Sequence, residues 1–265
     1  MQPESTNKHF PAKLLLFGEY TVISGGAALA IPYPQYQGQW KKGTEKSDLE
    51  TFWDYLKTLY GCNLDKVAQA EQENWVFEAN IPLGYGLGSS GALSAAAYTL
   101  FFEEERLGLV ALKDRLAQIE SFFHGQSSGL DPLVSYTGHA VYIQDSQITT
   151  LAPPTLPSNL TLYDSGQSRN GKPLIQAYMQ RLQKEPDFVS VIKELKVLNQ
   201  MAITKLIAGE DISKVFEKIS RLQLEHFEAM ILEDVYTVWA QGLEEGRYMK
   251  LSGAGGGGCY MCYEV

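Results

Sequence analysis

The sequence predicts a mixed α/β (α+β) protein in two parts, and three observations carry that reading. A strand-like run, Trp75-Val76-Phe77-Glu78-Ala79-Asn80-Ile81, passes through a glycine- and serine-rich turn into an apolar helical run from Ala92. The stretch Ala152-Pro153-Pro154-Thr155-Leu156-Pro157 breaks the chain between a half where strands and helices alternate and a half where helices dominate. The chain then closes as strand, glycine turn, strand over residues 248–263. With 265 residues and 45% apolar content there is material for one large domain or two ordinary ones. The boundary is placed after Pro157, giving an N-terminal domain of 1–157 and a C-terminal domain of 158–265.

Residues 1–8 read as a frayed end. The run Phe10–Tyr20 then reads as a strand, with Lys13 ahead of Leu14-Leu15-Leu16. Such a lysine either packs its stem and keeps its head in water, or aims its ammonium into a cleft. Gly18-Glu19-Tyr20 breaks the strand, Ser24-Gly25-Gly26 turns the chain, and 27–31 form a short strand. Residues 33–50 are mixed and polar, with a strand ending at Trp40-Lys41-Lys42. Leu49, Phe52, Trp53, Leu56 and Leu59 keep helical spacing, so 48–60 is a helix stopped by Gly61. The helix from Ala92 ends near Gly108, and a second spans 110–123 with Glu120 beside its apolar face. Asp131-Pro132 has the form of a helix start, with Asp131 as the cap. Strands at 139–144, 147–151 and 160–163 come next. A polar loop over 164–172 carries Arg169, and helices follow at 173–184, 188–208, 211–232 and 234–244.

The glycine turn is where chemistry is expected. Four glycines and two serines fall within the eight residues 84–91. They sit where a strand becomes a helix, at unpaired backbone N–H groups and the positive end of the helix dipole. Glycines let a phosphate approach the backbone, and Ser89 and Ser90 add hydroxyls for phosphate oxygens or a magnesium ion. No Lys-Ser or Lys-Thr follows the last glycine, so this is not the usual P-loop. Gly86-Leu87-Gly88-Ser89-Ser90-Gly91 does match the dinucleotide fingerprint as a pattern. Its required acid about twenty residues on, at the end of a second strand, is replaced by Glu103, Glu104 and Glu105 on the helix tail, which argues against that fold.

The net charge is −9 and there is no basic cluster, so neither nucleic acid nor an acidic membrane surface is expected as a partner. No apolar run approaches membrane length and no leader is evident, so a cytoplasmic setting is expected. Three cysteines do not make a disulfide framework. Cys259 and Cys262 lie three apart on a strand-like tail and so face opposite ways.

Three segments together resemble the GHMP kinases. They are Pro11-Ala12-Lys13-Leu14-Leu15-Leu16-Phe17-Gly18-Glu19-Tyr20, the loop 82–92, and Lys250-Leu251-Ser252-Gly253-Ala254-Gly255-Gly256-Gly257-Gly258-Cys259. Residues 120–131 look most like the mevalonate kinase branch. The resemblance implies a two-domain GHMP kinase fold. Its N-terminal domain would be ribosomal-protein-S5-like and its C-terminal domain ferredoxin-like.

The same resemblance implies ATP and Mg²⁺ as cofactors and a small-molecule alcohol as substrate, most readily mevalonate. Asp131 matches the catalytic aspartate, with Lys13 beside the reacting hydroxyl. Pro82, Gly84, Gly86, Leu87, Gly88, Ser89, Ser90 and Gly91 would hold the nucleotide, and Ser90 and Glu120 the metal. Glu19, Tyr20, His124, Arg169, Gly253 and Ala254 are candidates for substrate contacts. Ala12 departs from the family's usual Gly, Tyr20 from the branch's usual His, and the stretch between the first two motifs is short. Another GHMP-type kinase, a non-catalytic nucleotide sensor and a dinucleotide oxidoreductase are the alternative functions. A homodimer is left open.

Overall fold

A computed structural model describes residues 8–45, 48–102, 107–145, 147–169 and 171–265. Apart from Lys8, the expected frayed end lies outside these residues, as do the acids at 103–105. The chain packs into two compact units, each discontinuous in sequence. One comprises Met1–Lys13, Ile31–Pro82 and Leu87–Val141, the other Leu14–Ala30, Leu83–Gly86 and Tyr142–Val265. The boundary expected after Pro157 therefore falls inside the second unit.

Eight strands and nine α-helices occur among the described residues. The strands are β1 (Phe10–Phe17), β2 (Ala28–Lys42), β3 (Trp75–Ala79), β4 (Ala140–Gln144), β5 (Gln147–Leu151), β6 (Leu160–Asp164), β7 (Arg247–Leu251) and β8 (Cys259–Glu264). The first five form one sheet in the order β1-β2-β4-β5, with β3 paired to β2. The last three form an antiparallel sheet in the order β6-β8-β7. β2 and β3 run antiparallel, with Gly38 opposite Ala79 and Lys42 opposite Trp75. A dinucleotide fold needs parallel strands around its glycine turn. The strand that leads into this turn is antiparallel to its neighbour, so that alternative is excluded.

In the first unit, α3 (Ser89–Phe101) packs on α4 (Leu109–His124) and on α5 (Leu130–Thr137). Its inward positions are small: Ala92, Ala95, Ala96 and Ala97 have no exposed surface. That permits close approach of α5, since a Cβ added at Gly91 would meet the Asp131 Cβ at 2.8 Å and its carbonyl carbon at 2.9 Å. An aromatic cluster of Trp40, Trp53, Phe77 and Phe101 joins β2, β3 and α3 to α1 (Glu50–Lys57). Burying each such side chain contributes roughly 1.5–3 kcal/mol. α2 (Leu64–Gln72) is an element that sequence reasoning missed; Asn63 caps it by accepting from the Lys66 N–H at 3.0 Å.

In the second unit, α6 (Gly171–Lys184), α7 (Pro186–Ile207), α8 (Ser213–His226) and α9 (Glu233–Glu244) accompany the three-stranded sheet, with α8 and α9 both against β7. The helix expected over 211–232 stops at His226, and a separate 3₁₀ turn covers Glu228–Met230. Buried Trp239 donates its indole N–H to Ser220 Oγ at 2.7 Å, which ties α9 to α8.

Candidate functional site

The phosphate loop is anchored to β1 by its backbone: the Lys13 N–H donates to the Leu87 carbonyl at 2.8 Å. Gly88 then adopts left-handed geometry (φ 75°, ψ 40°) as the cap of α3, with no side-chain hydrogen bond to the helix end. The first-turn N–H groups of α3 are thus left for a ligand to satisfy. Ser89 and Ser90 are the first two residues of that helix.

Lys13 and Asp131 meet at this place. The Lys13 Nζ lies 2.9 Å from Asp131 Oδ2, with the lysine buried and the carboxylate about a third open (30%). The Lys13 ammonium points inward to a carboxylate and not out to water. The cap of α5 is Gly129, in left-handed geometry, and Asp131 lies inside the first turn with its side chain on Lys13. A Cβ at Gly88 would lie 3.4 Å from both Asp131 Oδ2 and Lys13 Cβ, an ordinary contact, so it is the positive φ of 75° that calls for glycine where the loop passes the pair.

Glu120, on α4, is buried beside the same helix end. Its Oε1 accepts from Ser90 Oγ at 3.0 Å, and its Oε2 accepts from the Ser127 hydroxyl. Burial first, and the negative charge of Asp131 second, raise the Glu120 carboxyl to about 7; bonds from Ser127 and Ser90 and the charge of Lys13 oppose the rise. Two carboxylates and one ammonium share the site, which suits a small cation. Ser90 and Glu120 present hard oxygen donors on one side, the type a small dication prefers beside phosphate oxygens. Among the described residues no group of three His, Cys, Asp or Glu side chains could hold a metal by itself. His124, expected to touch substrate, has its Nε2 2.9 Å from Ser90 Oγ and so stands beside the serine–glutamate pair.

Arg169, Gly253 and Ala254 belong to the second unit, as do Gly84 and Gly86 of the loop. The Arg169 N–H donates to the Gly84 carbonyl at 2.9 Å, and its Nη1 donates to the Ser252 carbonyl at 3.1 Å. A Cβ at Gly86 would lie 1.9 Å from Arg169 Nη2, and one at Gly253 2.4 Å from it. Both glycines therefore leave room for a guanidinium.

Glu19 and Tyr20 do not have the surface that substrate contact requires. The Glu19 side chain is fully buried, with Oε1 2.5 Å from the Lys250 Nζ. Tyr20 is buried against Tyr178 and Phe227 and donates its hydroxyl to the Ala254 carbonyl at 2.5 Å. Sequence reasoning missed Lys250 as a functional partner. Its place in the third motif was visible, but nothing along the chain joins it to Glu19.

Residues 51–139 match the family described as the GHMP kinases N terminal domain. That match covers about a third of the chain, and the helices and strands of the whole chain adopt a fold similar to that of solved GHMP kinases. The relatives it matches include a mevalonate kinase from Pyrococcus horikoshii, 27% identical over 94% of this chain and 85% of the relative. Among solved structures, the mevalonate kinase of L. major in complex with R-mevalonate aligns over 97% of this chain and 86% of that one, at 15% identity and a TM-score of 0.67. The Streptococcus pneumoniae phosphomevalonate kinase in complex with phosphomevalonate and AMPPNP aligns over 97% and 91%, at 16% identity and a TM-score of 0.69.

Proposed function

We propose that this protein transfers the γ-phosphate of ATP to the primary hydroxyl of mevalonate. The observation that carries the proposal is the Lys13–Asp131 pair, 2.9 Å apart, at the open N-terminus of α3. Phosphoryl transfer asks the protein for positioning and charge neutralisation more than for covalent chemistry. The backbone N–H groups of Gly88, Ser89 and Ser90 bind phosphate oxygens. Asp131 accepts the proton of the attacking alcohol. Lys13 stabilises the oxygen as negative charge builds on it.

Ser90 and Glu120 are the residues that would hold Mg²⁺, since both present hard oxygen donors and stand 3.0 Å apart beside the helix end. When bound, Mg²⁺ supplies charge neutralisation on the phosphate oxygens. For the carboxylate of the acceptor the proposed partner is Arg169, since a guanidinium binds a carboxylate through two parallel hydrogen bonds. A cytoplasmic setting belongs to the same proposal. A non-catalytic nucleotide sensor is disfavoured by the presence together of Lys13, Asp131, Ser90 and Glu120 in contact geometry.

The test is ADP release by purified protein given ATP, Mg²⁺ and each of several alcohols. Mevalonate is expected to be the best acceptor. Release no faster than the alcohol-free background with every acceptor would reject the kinase reading. A preference for phosphomevalonate would keep the reaction and replace the substrate.

A further inference from the structure

The second unit holds a buried ion pair that the catalytic account does not use. Lys250 and Glu19 have no exposed side-chain surface, and their charged atoms are 2.5 Å apart. The Lys250 ammonium also donates to the Leu251 carbonyl at 2.6 Å and lies near Met261 Sδ at 3.8 Å. Isolated charges are rarely tolerated in such surroundings, and an apolar pair of similar volume would often be as stable. A buried pair in that position calls for another reason, and the chain next to Glu19 supplies one.

Gly18 has φ 112°, and a Cβ there would sit 2.4 Å from that of Ala28. Tyr20 is held at φ 62°, a conformation rare for a residue with a side chain. The strained turn aims the Tyr20 ring between Tyr178 and Phe227 and delivers its hydroxyl to the Ala254 carbonyl at 2.5 Å. Burial keeps this phenol protonated far above its ordinary range, so it remains a donor. Ala254 is next to Gly253, whose missing Cβ admits the Arg169 guanidinium, and Arg169 is bonded in turn to Ser252 and Gly84.

We propose that Glu19, Lys250 and Tyr20 are positioning residues. The ion pair fixes the turn at Gly18–Tyr20, the turn fixes the Ala254 carbonyl, and that carbonyl sets the glycine loop which seats Arg169. Strain held in place by over-determined contacts is what such a device requires. The effect on turnover rests on the kinase reading above; the effect on the loop does not.

The experiment uses two variants. Tyr20→Phe removes only the hydroxyl. Glu19→Leu with Lys250→Met removes both charges together, so that no lone charge stays buried. Hydrogen exchange is followed at the Gly256 and Gly258 amides, which donate to the Met230 and Gln167 carbonyls at 2.7 Å each. Both variants are expected to exchange these amides about tenfold faster or more while amides in α3 keep their rates, since loss of a buried hydrogen bond loosens the loop locally. Wild-type rates at Gly256 and Gly258 in either folded variant would overturn the proposal. In turnover, Tyr20→Phe is expected to raise the acceptor KM about tenfold with kcat within about threefold, and to add nothing to the KM of Arg169→Lys when the two are combined. Additive effects, or an unchanged KM, would also overturn it.

Discussion

Replacing Glu120 by Gln keeps the shape of a buried side chain and removes its charge. Glu120 is 5% exposed, and burial with the nearby Asp131 charge raises its carboxyl from 4.5 to about 7. The sign follows from proton binding. Below the unfolded value both states carry the proton and the group has no effect. As pH rises through the window from 4.5 to about 7, the unfolded chain has released its proton while the folded chain still holds it, so stability falls. Above that window the penalty is complete. A shift of this size corresponds to about 3 kcal/mol. Metal-free wild-type protein should lose most of that between pH 5 and pH 8 relative to Glu120→Gln. Urea unfolding of both proteins at several pH values, with equal m-values, gives the contribution of Glu120 together with its coupled neighbour Asp131, because titrating groups away from the pair cancel. Addition of Mg²⁺ with a non-hydrolysable ATP analogue at pH 8 should stabilise the wild type and not the variant. A stability difference that does not change between pH 5 and pH 8 would refute the reasoning.

Asp131→Asn should fold and bind ATP as the wild type does, while kcat falls by about 10²-fold or more, read by steady-state kinetics alongside nucleotide titration. Gly91→Ala should destabilise the protein by about 1–3 kcal/mol and reduce turnover with it, because the new methyl meets Asp131 and the Pro132 nitrogen within 2.9 Å. Gly108→Ala meets nothing within 4 Å and changes only the cap of α4, so as the control its thermal unfolding is expected within about 1 kcal/mol of wild type, with turnover unchanged.

Much of this was legible in the sequence, for reasons that can be named. The glycine loop, the strand before it and the helix after it are signalled by local composition, and α3 starts at Ser89 within the expected turn. β1 was legible too, its inward residues being apolar around one lysine. β2 was not read as a single strand of 15 residues, because Pro32 and Pro34 and a run of polar side chains mask it; the structure shows its middle half-exposed, where such residues are tolerated. Asn63, with apolar residues three apart at Leu64, Val67 and Ala70, was the signal for α2 that went unused. Asp131 was ambiguous because Asp before Pro is also what a helix cap looks like; the structure gives the cap to Gly129 and sets the Asp131 side chain on Lys13. Glu19 could not be placed at all without the fold, since its partner Lys250 is 231 positions away.

In the proposed reaction Asp131, paired with Lys13, takes the proton of an alcohol as that alcohol receives the γ-phosphate of ATP. Phosphorus NMR of a mixture of protein, ATP, Mg²⁺ and mevalonate tests it most directly. A new phosphomonoester signal, coupled to the protons of the terminal CH₂ and absent with Asp131→Asn, is the result expected. ATP that stays intact, or loses its γ-phosphate only to water, would contradict it.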